Sequence, residues 1–407
     1  MFRARWEANW PSEVGQPALL AHIDRVASVL MADQSIGRLR GPAAPDGFSA
    51  AVAAYFPADV GRATIEPVQG GLSGSRVARV LLPERGCWAI KTLPRAMDRQ
   101  RGRWLHRFMR HLRSGPLPMI PQVAQLAGGD DLWEDSQGRL WEMLGWMPGQ
   151  PQPQPNAAEK AAAIAAVAAV HARAASFPAG PATWGMAASL RERAARCRQL
   201  EPASWEQRLR ERGGGLAAHV ADQAAAERIE TALATAADRL KWDGAAALQR
   251  MGAYEPRPEW LLTVVRDLRA EHLLFAEACS RSESQVSGLI DFHAARLDSP
   301  ACDLGRLLAS WSAGPPQPAV VRETVDAYAA AWAVGGGGRP LDGSQLCERI
   351  ELIAASGVLL GLDNWVRWVA QEQRWFPDWS AVADRLEWHL EALPASLCRL
   401  QSTPVSA

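Results

Sequence analysis

The chain has 407 residues, 48% hydrophobic and 22% charged, the balance of a globular protein with a substantial core. Its 44 basic residues offset its 44 acidic ones, which argues against a protein built to grip nucleic acid or an anionic membrane. The six cysteines are scattered without a CxxC pair, so neither a disulfide framework nor a zinc ribbon is indicated, and a reducing cytoplasm is the expected compartment. The opening MFRARWEANWPSEVG lacks the apolar run of a signal peptide. The longest apolar stretch, AAAIAAVAAV at 161–170, is too short to cross a bilayer as a helix.

Taken in chain order, residues 1–60 show helical periodicity around Leu19–Leu30, a Gly/Pro-rich connection at Gly41–Gly47 and a short apolar segment at Phe48–Phe56. They read as an N-terminal helical extension. Residues 61–146 change character. Strands are expected at 63–68, 76–83 and 87–93, with the glycine-rich turn QGGLSGS at 69–75 and the turn ERG at 84–86 between them. A basic helix opened by Pro94 is expected over 95–113, followed by short strands within 121–127, 131–135 and 139–144. The segment reads as a small, mostly antiparallel sheet with one helix packed on it. The Pro-rich MPGQPQPQP at 147–155 marks a break. Beyond it, residues 147–407 read as a larger helical region. Its helices are expected at 157–175, 187–212, 216–241, 302–311, 320–333, 344–372 and 379–393. LLTVV at 261–265 and SGLIDF at 287–292 are its short strands.

Four features carry chemistry. The turn at 69–75 offers Gly70, Gly71 and Gly74, where a backbone can approach a polyphosphate closely, and the hydroxyls of Ser73 and Ser75. Lys91 sits in the apolar strand CWAIKTL, and only three of the 44 basic residues are lysines. Where arginine serves for every generic positive charge, a strand lysine points to a compact ammonium aimed at a phosphate. Asp267 follows the strand LLTVV, with His272 five residues on, and Asp291 ends the strand LID. Two strand-end carboxylates with a polar residue between them suit a general base and a divalent-metal site.

Lys91 in WAIK, Asp267 in VRDLRAEHLLF and Asp291 in LIDF resemble, in that order, the lysine, catalytic-loop and metal-aspartate motifs of protein-kinase-like enzymes. The closest resemblance is to the aminoglycoside phosphotransferase and choline kinase-like enzymes. Their catalytic loop reads His-Gly-Asp-Leu-His-x-x-Asn, and their metal strand is followed by Pro-x-x-Asp-Leu-Ala, here Pro300 to Gly305. The helix ending AAVAAVHA at 165–172 is similar to the histidine-bearing helix of that family.

The resemblance covers roughly residues 61–310. It implies an α+β, bilobal protein kinase-like fold and an ATP- and Mg²⁺-dependent kinase, with Mn²⁺ as the alternative ion. The γ-phosphoryl group would pass to a hydroxyl of a small metabolite or aminoglycoside-like acceptor. By the same resemblance, Gly70 to Ser75 would cover the phosphates and Lys91 would pair with them. Glu142, Met143 and Leu144 would belong to a hinge whose backbone reads adenine. Asp267 would take the acceptor's proton, and Asp291 would hold the metal.

Three departures stand out. Val265 and His272 replace the family's first loop histidine and its metal-binding asparagine, so His272 is either a metal ligand or a core histidine. The helix after Lys91 lacks the glutamate that would hold the lysine; Asp98 is the only acid before Asp130. A catalytically silent nucleotide-binding protein of the same fold is therefore the alternative reading. Asp303 reads as a helix N-cap and Asp298 as a turn residue. Trp365 and Trp368 share a helix face. They read either as core or, with Asp363, as an aromatic wall for a cationic or sugar acceptor.

Overall fold

The structure, a computed structural model, describes residues 47–68, 75–202, 204–205, 207, 216, 220, 222–276, 284–312, 314–336, 342–372, 374, 376 and 378–402. The helix expected at Leu19–Leu30 and the glycine turn with Gly70, Gly71, Ser73 and Gly74 lie outside the described residues. By its contacts the chain divides into two compact units, Met1–Pro181 with Glu271–Ala295, and Ala182–Ala270 with Arg296–Ala407. The Pro-rich segment at 147–155 thus falls within the first unit rather than at its edge. No helix among the described residues is long and apolar enough to cross a membrane.

The first unit is built on a five-stranded antiparallel sheet. Its strands are β1 (Thr64–Val68), β2 (Val77–Leu82), β3 (Gly86–Thr92), β4 (Trp133–Glu134) and β5 (Leu140–Gly145), in the spatial order β1-β2-β3-β5-β4. The tight turn between β2 and β3 uses left-handed backbone at Glu84 (φ 67°) and Gly86 (φ 79°). Of the stretch expected as a strand at 121–127, only Val123 is bridged to the sheet, opposite Leu144.

Alternation along β3 sends Trp88 and Ile90 to one face, where they meet Trp141 and Met143 of β5. A helix, α1 (Phe48–Tyr55), covers that face with Phe48, Val52 and Tyr55. The Tyr55 hydroxyl lies 2.8 Å from the Asp131 carbonyl and 2.9 Å from the Trp141 carbonyl. The apolar segment at 48–56, read with the N-terminal extension, is therefore part of this core.

The opposite face carries Lys91 and Glu142. The next helix, α2, runs Arg99–Arg113 rather than from Pro94. Asp98 is its N-cap and accepts from the Arg101 N–H at 2.7 Å, which fixes where the helix starts. Leu105, Phe108, Met109 and Leu112 are buried at helical spacing, while Arg99 and Arg103 reach out to Asp130. A further helix, α3 (Ala157–Ala174), opens with a capping box between Asn156 and Glu159, and its His171 is fully buried. Strands Leu273–Phe275 and Val286–Leu289 pair antiparallel beside Gln150–Pro151 and complete the unit.

The second unit is mostly helical. Its small antiparallel sheet places Glu259–Val264 between Thr183–Gly185 and Arg296–Asp298. Around it lie helices Ala188–Gln199, Gln223–Trp242, Ala245–Ala253, Pro300–Ser310, Pro318–Val334, Gly343–Val366 and Trp379–Ser402. Two expectations change here. The helix expected over 187–212 ends at Gln199, and the one expected to Glu372 leaves α-geometry after Val366 in a wider turn over Arg367–Gln371.

Candidate functional site

Lys91 and Glu142 are directly opposed in the β3–β5 register, so their side chains leave the sheet on the same face. The Lys91 ammonium lies 3.3 Å from Glu142 Oε1, and the carboxylate is 3% exposed. Two imidazoles share that carboxylate. His106 Nε2, from the middle of α2, is 2.7 Å from Oε2, and His293 Nε2 is 2.9 Å from Oε1. An ionised carboxylate only accepts, so both Nε2 atoms carry hydrogen and donate. Burial pushes the Glu142 carboxyl up, but the Lys91 ammonium, His293 and His106 outweigh it and hold the group well below the usual carboxylate range.

His106 is itself fully buried and faces a second acid, with Nδ1 3.7 Å from Asp131 Oδ2. Burial disfavours its charge, yet Asp131 and Glu142 together lift its pKa above the ordinary histidine value. Arg110, one turn further along α2, then pairs with Asp131 at 2.5 and 2.7 Å.

This arrangement corrects one expectation. Lys91 has a glutamate partner, supplied by β5 rather than by the helix, so it is not left to Asp291 alone. Glu142–Leu144, expected to read adenine, lie in β5 beside β3. Met143 C=O accepts from Ala124 N–H at 2.9 Å, and Leu144 lies between Ala89 and Val123. Ser75, the one described residue of the glycine turn, leads into β2.

Asp291 lies 4.0 Å from the Lys91 ammonium and is 44% exposed. Its backbone is left-handed at φ 63°, a conformation that a non-glycine residue adopts only where its surroundings impose it. The carboxylate has His293 Nδ1 at 3.5 Å on one oxygen and His272 Nε2 at 3.8 Å on the other. His272 is thus a neighbour of Asp291, not an isolated core histidine. Among the described residues no three His, Cys, Asp or Glu side chains are grouped to hold a metal on their own. An exposed carboxylate that would share its ion with phosphate oxygens and water fits Mg²⁺, which dehydrates reluctantly, and the adjacent imidazole would suit Mn²⁺.

Asp267 belongs to the second unit, because the chain passes between units at Ala270–Glu271. The residue before it, Arg266, is also left-handed at φ 71°. Asp303 holds this turn: its buried carboxylate accepts from the backbone N–H groups of Val265 at 2.8 Å and Arg266 at 2.5 Å. The helix cap is Ser299, whose hydroxyl accepts from Ala301 N–H, so Asp303 is a brace for the loop and not the cap expected from sequence. Asp298 is no turn residue either. It is fully buried, accepts from Ser189 and Ser299 N–H at 2.9 Å each, and pairs with Arg266 at 3.2 Å. Asp267 itself is 40% exposed, pairs with Arg269 at 3.2 Å and is contacted by Arg306.

In the same unit Trp365 is 3% exposed and packs edge-on against Trp368, with centroids 5.1 Å apart. Asp363 is bound to Arg196 at 2.6 Å, so its charge is already matched. The guanidinium of Arg374 lies 4.9 Å above the Trp368 ring. Trp365 is core, then, and Trp368 is the half-buried member of the pair.

The sequence matches the phosphotransferase enzyme family over residues 64–337, more than half of the chain. It belongs to that family. The protein is accordingly a phosphotransferase, with an α+β architecture of an antiparallel sheet unit and a mostly helical unit. Among solved structures it is similar to an aminoglycoside phosphotransferase from Alicyclobacillus acidocaldarius, with 15% identity, 90% of this chain and 97% of that chain covered and a TM-score of 0.45. It is similar also to the amicoumacin kinase hAmiN in complex with AMP-PNP, Ca²⁺ and Ami, with 11% identity, coverage of 80% and 88% and a TM-score of 0.49. A choline kinase from Cryptosporidium parvum gives 11% identity, coverage of 86% and 94% and a TM-score of 0.46. No curated protein matches the sequence significantly.

Proposed function

We propose that this phosphotransferase uses ATP with Mg²⁺ or Mn²⁺ and transfers the γ-phosphoryl group to a hydroxyl of a small metabolite or aminoglycoside-like acceptor. The observation that carries the reading is the ammonium of Lys91 within 4.0 Å of the strained, solvent-facing Asp291, although the two are 200 positions apart in the sequence. Phosphoryl transfer asks mainly for positioning and for positive charge around the phosphates. In this reading Lys91 pairs with the α- and β-phosphates, and Gly70, Gly71, Ser73, Gly74 and Ser75 supply backbone and hydroxyl groups to them. Asp291 holds the divalent ion, with His272 beside it; when bound, the ion neutralises phosphate oxygens. Asp267 accepts the proton of the acceptor hydroxyl as that oxygen bonds to the γ-phosphorus and ADP leaves.

A second reading rests on the ion pairs of Asp267 with Arg269 and Arg306, which hold its carboxylate as a structural group would be held. It makes the protein a catalytically silent nucleotide binder. Incubation with γ-labelled ATP, Mg²⁺ and a panel of hydroxyl-bearing small molecules separates the two. Label on an acceptor with the wild type, and none with Asp267→Asn, supports the enzyme. Nucleotide binding without transfer to any acceptor supports the silent protein.

A further inference from the structure

Helix α2 reads RQRGRWLHRFMRHLR, without one acidic residue, yet the lysine it faces is ion-paired. The carboxylate comes from β5, where Glu142 interrupts the apolar run Leu140–Leu144. An isolated carboxylate in that position would be costly, since a buried charge is tolerated only with partners. Glu142 has three donors: Lys91 and His293 on Oε1, and His106 on Oε2. Each leads to a different element. Lys91 is on β3. His293 reaches on through its other nitrogen to Asp291, 3.5 Å away. His106 sits on α2, fully buried.

We infer that Glu142 is the positioning residue of the nucleotide site, holding Lys91 directly and the Asp291 loop through His293, with His106 tying it to α2. The carboxylate that meets Lys91 thus comes from the strand, and the helix contributes an imidazole to it. This inference rests on the ATP reading above. It adds that one buried group sets both the phosphate-facing ammonium and the metal-facing carboxylate, and that a sequence without a helix glutamate is still equipped to bind nucleotide.

Because His106 Nε2 and Glu142 Oε2 are 2.7 Å apart, a carboxylate placed at position 106 would end close to where Glu142 now ends. The test is MgATP affinity by calorimetry, alongside the melting temperature without ligand. Glu142→Gln is expected to weaken MgATP binding at least tenfold. The double variant His106→Glu with Glu142→Gln is expected to recover binding to within threefold of wild type, which mere packing of the strand would not do. Glu142→Gln binding as wild type does, or a folded double variant showing no recovery, overturns the inference.

His293→Asn keeps the Lys91 pair and cuts the link to Asp291, and it carries the test should Glu142→Gln fail to fold. It is expected to weaken MgATP more than threefold while leaving metal-free ATP unchanged; an equal effect on both overturns the link. A wild type that binds neither form of ATP overturns the nucleotide reading itself, and the inference falls with it.

Discussion

The two acids on which the proposed chemistry turns, Glu142 and Asp267, are held in opposite ways. Glu142 is buried at the centre of a sheet and shared by an ammonium and two imidazoles. Asp267 stands at a loop, 40% exposed, and its partners are two long arginine side chains. A buried charge with fixed donors sets geometry. An exposed ion pair is worth little to folding and can be exchanged for a substrate group at small cost. Under the proposed function, binding rests on the first unit's cluster and turnover on the second unit's loop, so the two should be separable by mutation.

The largest separation is expected from Asp267→Asn. Loss of a general base should lower kcat by about 10²–10⁴, while MgATP affinity and melting temperature stay at wild-type values. A parallel loss of nucleotide binding would break the division. Asp303→Asn should act on the same loop by removing the brace under Val265 and Arg266. A lost buried acceptor of this kind costs about 1–3 kcal/mol, so chemical denaturation should show that destabilisation, and kcat should fall with it.

The helices and strands of the first unit were legible in the sequence because β2 and β3 alternate and turn residues separate them. Lys91 stood out through the scarcity of lysine. The glutamate that holds it does not, because it lies on a strand and not on the helix that follows the lysine. The signal was present in LWEML, a lone acid inside an apolar strand. Which residue it opposes depends on a register between strands some fifty residues apart, and short-range pattern does not set that. Asp303 was misread for a related reason. Ser299 before Pro300 is the better cap pair, and the acid's true contacts lie 37 and 38 residues away. Asp98, the only acid between Lys91 and Asp130, marks where α2 begins.

A smaller effect is expected from pH. The folded-state pKa of His106 is raised by Asp131 and Glu142 against the opposing pull of burial, with Arg110 the cation beyond Asp131. Its contribution to stability is therefore complete below about 6.5, the ordinary histidine value, and is lost as pH rises through the folded-state value. The wild-type melting temperature should decline over that range, and His106→Gln should show a flatter profile there from a lower start. Identical profiles would remove His106 from the charged cluster.

The smallest effect is expected from Trp368→Ala. With Trp365 in the core and Asp363 paired with Arg196, Trp368 is the member of that tryptophan pair on which the proposed acceptor contact rests. Its loss should raise KM for the acceptor several-fold and leave MgATP affinity alone. A change in both would place this tryptophan in the general packing of the second unit.

The account turns on Lys91 and Asp291 forming a site for nucleotide and metal. The measurement that tests it most directly is the melting temperature of the wild type and of Asp291→Asn with ATP alone, with MgATP and with MnATP. A ligand that binds only the native state raises the melting temperature. The account predicts a rise for the wild type that requires the metal and disappears in Asp291→Asn. A wild-type melting temperature that stays flat with every form of ATP at millimolar concentration would contradict it.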